Sequence, residues 1–227
     1  MKMLELNKIY NIDCLEGLKL LPDNSVDLIV TDPPYGINAD KGVGGFGSSP
    51  KSAKKYSDNW DDKTPDKVIF DEILRVGKVV LIFGGNYFTD KLPVNGHWIV
   101  WDKINNIKFD NPFSDCELIW TNVNKNSVKK FIFVQQGFVM DNDFNNQRFH
   151  PTQKPLKIIR DLIKNYSKEE DLVLDPFMGS GTTAVACKQL NRNFVGFELD
   201  ERYVAIANNR LKQDTLNDFS KYENLEV

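Results

Sequence analysis

The chain is poor in the residues that build covalent or metal frameworks: three cysteines and two histidines in 227 residues. Cys14, Cys116 and Cys187 are scattered and odd in number, with neither the paired spacing of a zinc site nor that of a disulfide framework, so no metal site is expected and a reducing compartment fits. Long apolar runs are also missing. The longest is "VVLIF" at 79 to 83, and the opening "MKMLELNKIYNID" interrupts its apolar residues with charges. Neither a signal peptide nor a membrane span is expected, which points to a cytoplasmic protein. Excess positive charge is absent too: 29 Lys and Arg stand against 32 Asp and Glu, a formal net charge of -3. That balance excludes a wholly basic nucleic-acid binder, and any contact with phosphates has to be local.

What is present is a globular composition, 41% hydrophobic, long enough for one sizeable core. Short apolar runs at 8 to 12, 26 to 31, 78 to 84, 97 to 102, 116 to 122, 131 to 134, 171 to 175 and 193 to 198 read as strands. Between them, 14 to 21, 66 to 75, 155 to 166, 181 to 190 and 200 to 212 read as helices. The alternation predicts an α/β fold in one domain spanning 1–227: a Rossmann-like, mostly parallel seven-stranded sheet with helices on both faces. The run at 116 to 122 precedes polar, Asn- and Lys-rich sequence and is placed near a sheet edge. Two stretches break the alternation and read as insertions. One is a flexible loop at 36–65, rich in Gly, Ser, Lys and Asp; the other is the Asn-, Gln- and Lys-rich segment at 121–149. No internal repeat is found.

The densest cluster is "DLVLDPFMGSGTTAVACKQLNRNFVGFELD", residues 171 to 200, which reads strand, Gly-rich turn, helix, strand, acid. This is the order of a Rossmann-type nucleotide site, in which Glu198 ends the second strand where an acid binds ribose hydroxyls. A phosphate-binding P-loop is excluded because no lysine follows "GSGTT", and a dinucleotide site is disfavoured because the third spaced glycine is missing. A nucleoside with an amino-acid tail remains. Asp175 can pair with an ammonium, and the N–H groups and hydroxyls of Gly179 to Thr183 can hold a carboxylate at a helix N-terminus. Those features describe S-adenosylmethionine. The plainer alternative is a Gly-rich turn with Thr182 as a helix cap, and Glu198 weighs against it.

Upstream, "VDLIVTDPPYG" ends a strand on Asp32, Pro33, Pro34 and Tyr35. Two prolines at the carboxyl edge of a parallel strand stiffen the turn and leave carbonyls free of local donors. The Asp32 carboxylate and the Pro33 carbonyl can accept both hydrogens of an exocyclic amino group, while the Tyr35 face stacks on the ring that bears it, as a flipped nucleobase requires. These hydrogen bonds favour a pyramidal amine whose lone pair points at an in-line methyl donor, so positioning carries much of the rate. Asp32 need not be a strong base, since the amine becomes acidic only as it gains its methyl.

"DPPY", "HPTQKP" (150 to 155) and "DPFMGSGTT", in that order, resemble the amino-methylating (N6-adenine and N4-cytosine) DNA methyltransferases of the β group. The likeness spans the chain apart from the two insertions. It implies a catalytic pocket of Asp32, Pro33, Pro34 and Tyr35, and a cofactor site for S-adenosylmethionine made by Asp175, Pro176, Phe177, Gly179, Ser180, Gly181, Thr182, Thr183 and Glu198. Asp13 and Cys14 would border the cofactor adenine, with Asp13 equally suited to cap the helix that follows. Lys154 would offer a polar contact at the methionine end. The family's target-recognition region corresponds to 121–149, and its shortness here allows a homodimer that reads double-stranded DNA with two copies. Lys51, Lys54 and Lys55 in the first insertion, and Lys125, Lys129, Lys130 and Arg148 in the second, are the candidate phosphate contacts. Asn and Gln in the second insertion could read adenine edges, and Trp60 fits a loop-packing role.

The leading expectation is methyl transfer to adenine N6 in a short site. N4-cytosine methylation on the same fold is the nearest rival; a serine in place of the first acid is commoner there, so Asp32 leans toward adenine. C5-cytosine chemistry needs a nucleophilic cysteine after proline, which none of the three cysteines provides. A DNA-binding subunit without turnover is opposed by intact Asp32, Tyr35, Gly179, Gly181 and Glu198. Enzymes that methylate glutamine or RNA usually carry Asn before the prolines and place the cofactor loop first.

Overall fold

The computed structural model describes residues 4–37, 61–107, 114–136, 139–140 and 153–222. Lys51, Lys54, Lys55, Trp60, Arg148 and His150, named above, lie outside the described residues, as do 38–60 of the first insertion and 137–138 and 141–149 of the second. Among the described residues, ten strands and five helices follow in chain order: β1 (Lys8–Asn11), α1 (Cys14–Lys19), β2 (Val26–Thr31), α2 (Lys67–Val76), β3 (Gly77–Phe83), β4 (Trp98–Asp102), β5 (Cys116–Thr121), β6 (Lys129–Ile132), β7 (Gln135–Gln136), β8 (Val139–Met140), α3 (Leu156–Tyr166), β9 (Leu172–Asp175), α4 (Thr182–Gln189), β10 (Asn193–Glu198) and α5 (Glu201–Tyr222). A short 3-10 turn, Gly85–Tyr87, follows β3.

One sheet runs β1-β10-β9-β2-β3-β5-β4-β6, and β7 and β8 form a separate ribbon. It has eight strands where seven were expected, because the second insertion contributes β6 along the free side of β4. A further correction concerns β5. It lies inside the sheet between β3 and β4, antiparallel to both, and not near an edge. The apolar stretch Leu118 to Trp120 covers both faces there, which an interior strand needs, and the polar residues after it only mark its exit.

Period-2 alternation divides each central strand between two cores. Leu28, Val30, Leu81 and Phe83 face the layer of α3, α4 and α5, with Ile158, Ile159, Leu162, Ile163, Ala184 and Ala207. Ile29, Val80 and Ile82 face α1 and α2, with Leu18, Phe70, Ile73 and Val76. In α3 the apolar residues recur as pairs one turn apart, so a single stripe meets the sheet. Pro155 stands at the N-cap of α3, where its missing N–H costs nothing. Across the two helices on the other face, the Arg75 guanidinium donates to the Leu18 and Leu21 carbonyls and pairs with Asp23 and Glu72, tying the end of α1 to α2.

Strand order reverses between β2 and β9. From β2 the chain proceeds to β3 on one side; from β9 it proceeds to β10 on the other. Such a reversal opens a crevice beyond the carboxyl ends of the two strands, where open α/β sheets bind ligands. The tetrad follows β2 and the glycine-rich turn follows β9. Among the described residues, no helix is long and apolar enough to cross a membrane.

Candidate active site

A cavity of about 660 Å³ occupies that crevice. Its wall runs from Asp32, Pro34 and Phe83 through Lys154 to Asp175, Gly179 and Glu198. The volume lies in the usual range for a small-molecule site, about 300 to 1,000 Å³. The two motifs therefore open onto one space.

The cofactor side is built on Asp175 at the end of β9. The Thr31 hydroxyl donates to its Oδ1 at 2.9 Å, the Phe177 N–H to the same oxygen at 3.1 Å, and the Thr183 hydroxyl to Oδ2 at 2.6 Å. Burial pushes its carboxyl up to about 6 against the pull of these three donors. A carboxylate has about four acceptor positions, so one remains for an ammonium. Thr31, absent from the candidate list, joins β2 to β9 across the switch point.

The turn itself is held by Glu198 and by α5. Glu198 Oε2 accepts the Gly179 N–H at 2.8 Å and its Oε1 the Asp200 N–H at 2.9 Å, so the expected ribose acid also fixes the turn. Burial raises the Glu198 carboxyl above its usual range. Arg210, from α5, donates to the Ser180 carbonyl at 2.6 Å and to the hydroxyls of Ser180 and Thr182. The N-cap of α4 is Gly181, at φ +85°, with no side-chain cap. Thr182 is thus the first helical residue, and the reading of it as the cap does not hold. A Cβ on Gly181 would stand 2.6 Å from Ala207 Cβ, while one on Gly179, at φ +52°, would meet nothing within 4 Å. The first glycine lets α5 approach; the second leaves open room. That room, bordered by Ser180, Thr182, Thr183, Asp175 and Glu198, fits the amino-acid tail and ribose of S-adenosylmethionine.

Asp13 and Cys14, expected beside the cofactor adenine, line the cavity with Ile12, Leu199 and Tyr203. Asp13 also caps α1, accepting from the N–H groups of Leu15 at 2.9 Å and Glu16 at 3.2 Å. Burial, with Asp13 adding to it, pushes the Cys14 thiol up to about 12. Cys187, buried inside α4, is shifted upward too by burial. Neither presents a thiolate nucleophile.

The tetrad side is a compact charge network. The Tyr35 hydroxyl donates to Asp32 Oδ1 at 2.5 Å, and Lys154 Nζ lies 2.8 Å from Asp32 Oδ2 and 3.3 Å from the Tyr35 oxygen. Lys154 also reaches Glu117 Oε2 at 3.3 Å, and Lys103 Nζ is 3.1 Å from Glu117 Oε1. Burial raises Asp32 above the ordinary carboxylate range, with Glu117 adding to the rise and Lys154 opposing it. Burial alone would push Glu117 up, but Lys154 and Lys103 hold it below its usual range. Burial would likewise lower the Lys154 ammonium, and the two carboxylates outweigh that and raise it. Pro34 lines the cavity and Pro33 is buried beside it.

Three placements differ from the sequence reading or extend it. Lys154 sits on the tetrad, and the polar contact from its segment to the glycine-rich turn comes from Gln153, whose Oε1 accepts the Ser180 hydroxyl at 3.2 Å. Tyr35 stacks on Tyr87, with centroids 4.8 Å apart and planes 12° from parallel. Its ring stands where a Cβ on Gly84 would be, 2.3 Å from Cε1, and Gly84 has φ +65°. Gly84, Tyr87, Lys103, Glu117 and Arg210 were missed; "FGGNY" at 83 to 87 and the lone acid in "CELIW" were the available signals.

Strand direction places the described lysines of the second insertion. Because β5 runs against its neighbours, its exit at Thr121 is at the end of the sheet opposite the cavity, and Lys129 pairs there with Ile99 near the start of β4. Lys125, Lys129 and Lys130 line a separate cleft with His97 and Tyr166. Lys130, one residue further along, pairs with Asp102 at 3.1 Å. The structure does not bring these three lysines to the catalytic cavity.

A family model described as DNA methylase matches residues 100–209, which take in Lys154 and the cofactor turn. The type II methyltransferase M1.MboII of Moraxella bovis is 29% identical over 262 residues, covering 95% of this chain and 100% of that protein. Among solved structures, a complex of M1.HpyAVI with SAM matches with a TM-score of 0.56 and 28% identity, covering 90% of this chain and 99% of that one. The PvuII DNA methyltransferase, described as cytosine-N4-specific, matches with a TM-score of 0.57 over 88% of this chain and 84% of that one; at 17% identity it shares the fold alone.

Proposed function

We propose that the chain is one of the amino-methylating DNA methyltransferases it resembles, that it uses S-adenosylmethionine, and that it methylates the exocyclic N6 of a flipped-out adenine within a short sequence of double-stranded DNA. The observation that carries this reading is the single cavity shared by Asp32 and Pro34 at one end and Gly179 and Glu198 at the other. A donor held by the turn and an amine held by the tetrad meet inside it without crossing solvent.

S-adenosylmethionine supplies the methyl on a sulfonium. The protein's own residues do the positioning. Asp175 and the α4 N-terminus hold the amino-acid tail, Glu198 takes the ribose hydroxyls, and Ile12 and Tyr203 cover the adenine edge. Asp32 and a proline carbonyl accept the two amine hydrogens, while Tyr35, backed by Tyr87, offers its ring to the base. The rigid turn fixes the amine for in-line attack, and the carboxylate stabilises the positive charge that develops on nitrogen. The loop at 36–65 and the segment at 121–149 are assigned to DNA contact and target recognition, with Lys51, Lys54, Lys55 and Arg148 as phosphate contacts.

Adenine is favoured by Asp32 at the first tetrad position. Nucleosides from DNA incubated with the protein and isotope-labelled cofactor decide the base: labelled N6-methyladenine is expected, and N4-methylcytosine alone overturns the adenine assignment. Modification-sensitive sequencing of the same DNA gives the recognised sequence. Replacing Asp32 with Asn is expected to lower methyl transfer by about 10²-fold or more while leaving cofactor binding intact; unchanged turnover would remove Asp32 from the reaction.

A further inference from the structure

Each oxygen of Asp32 already carries one of the protein's own donors. The Tyr35 hydroxyl lies on one carboxylate oxygen at 2.5 Å and the Lys154 ammonium on the other at 2.8 Å. An incoming amine, which gives one N–H to this carboxylate and the other to a proline carbonyl, adds a third donor that competes for the same two oxygens. Both the amine and the ammonium would donate to a charged acceptor, and the ammonium adds the attraction of its own positive charge, so it holds the shared oxygen more strongly. A neutral amine therefore does not displace Lys154 unless the ammonium has another acceptor within reach.

Glu117 offers one. Its Oε1 is held by Lys103 at 3.1 Å, and its Oε2 lies 3.3 Å from Lys154 Nζ, in ion-pair range but outside hydrogen-bond geometry. Among the described residues, this Oε2 is the buried side-chain oxygen left without a hydrogen-bond partner. An orphaned carboxylate oxygen in a buried position costs on the order of 1 to 3 kcal/mol, and closing the gap to Lys154 would remove that cost. Both β5 and the segment carrying Lys154 are anchored, so the movement needed is a side-chain shift.

We propose that Glu117 is a positioning residue that receives the Lys154 ammonium when the target amine takes its place on Asp32. The exchange transfers no proton and changes no net charge: two carboxylates and two ammonium groups are present before and after. Lys103 keeps Glu117 ionised and fixed on its far oxygen. The inference rests on the reading above that Asp32 receives the amine of the flipped base. A purely structural Glu117, one that only neutralises Lys154, would not affect which base analogue the pocket accepts.

The test measures binding, without turnover, of duplexes carrying either the modified base of the recognised sequence or its analogue lacking the exocyclic amino group. The native protein is expected to favour the amine by about tenfold or more, the effect of a hydrogen bond to a charged acceptor. With Glu117→Gln, Lys154 stays on Asp32, and the preference is expected to fall to near unity with cofactor affinity unchanged. Retention of the tenfold preference in that variant overturns the proposal. Adding Lys154→Met to Glu117→Gln removes the competing ammonium and is expected to restore the preference; failure to restore it overturns the proposal, and this double variant also decides the matter if the single variant no longer binds cofactor. Asp32→Ala separates the two claims. If it keeps the preference, the base-pocket reading falls and the inference with it; if it loses the preference while Glu117→Gln retains it, only the role of Glu117 falls.

Discussion

Lowering the pH from 7 to 5 is expected to weaken S-adenosylmethionine binding about tenfold, through Asp175. Burial holds this carboxyl at about 6 in the ligand-free protein, and an ammonium beside it favours the ionised form and lowers that value. The bound state then carries fewer protons than the free state, so affinity rises with pH through the free-state pKa. With a pKa of about 6, the carboxylate is roughly nine-tenths ionised at pH 7 and one-tenth at pH 5, which gives the tenfold factor. Glu198, also shifted upward, acts with the same sign. Folding stability has the opposite sign from this group: its folded pKa lies above its unfolded one, so between about 4 and 6 the folded chain binds more protons and is favoured as pH falls. Calorimetry in buffers of different ionisation heat measures both the affinity and the proton count, expected near half a proton released at pH 6. Asp175→Asn should flatten the profile. Equal affinity at pH 5 and 7 in the native protein, or an unchanged slope in the variant, would refute the placement of the ammonium at Asp175.

Gly181→Ala places a Cβ against Ala207 at φ +85° and is expected to destabilise the fold by about 2 kcal/mol, read as a lower thermal midpoint. Arg210→Ala leaves the Ser180 carbonyl and two turn hydroxyls without their shared donor; cofactor affinity should fall several-fold, and titration by calorimetry checks it. Alkylation at pH 8 followed by peptide mass analysis should label exposed Cys116 well before Cys14, whose thiol at about 12 is ionised to roughly one part in 10⁴ at that pH.

Particular residues show where sequence reasoning reached. The turn at Gly179 to Thr183 and the tetrad were legible because their chemistry is local: a strand end, a few residues with special φ values, a helix start. Glu198 was legible for the same reason, one strand later. Glu117 was hidden inside an apolar strand whose direction could not be read from composition, and the same ignorance put β5 near an edge and left Lys125 and Lys129 unplaced. A strand reads alike in either direction, and only pairing with neighbours reveals which end a residue occupies.

Lys154 makes the distinction sharpest. Its motif marked it as functional, yet its partners, Asp32 and Glu117, lie 122 and 37 positions away in the chain. The sequence by itself determined most of the elements and the cofactor chemistry, and singled out the tetrad as the candidate amine-accepting turn, since each depends on neighbouring residues and on alternation along a strand. Only the tertiary structure decided that the two motifs share one cavity, that Asp32 is already occupied by internal donors, and that a buried carboxylate waits beside the lysine. Those facts are distances between segments remote in sequence, fixed by strand order and side-chain packing.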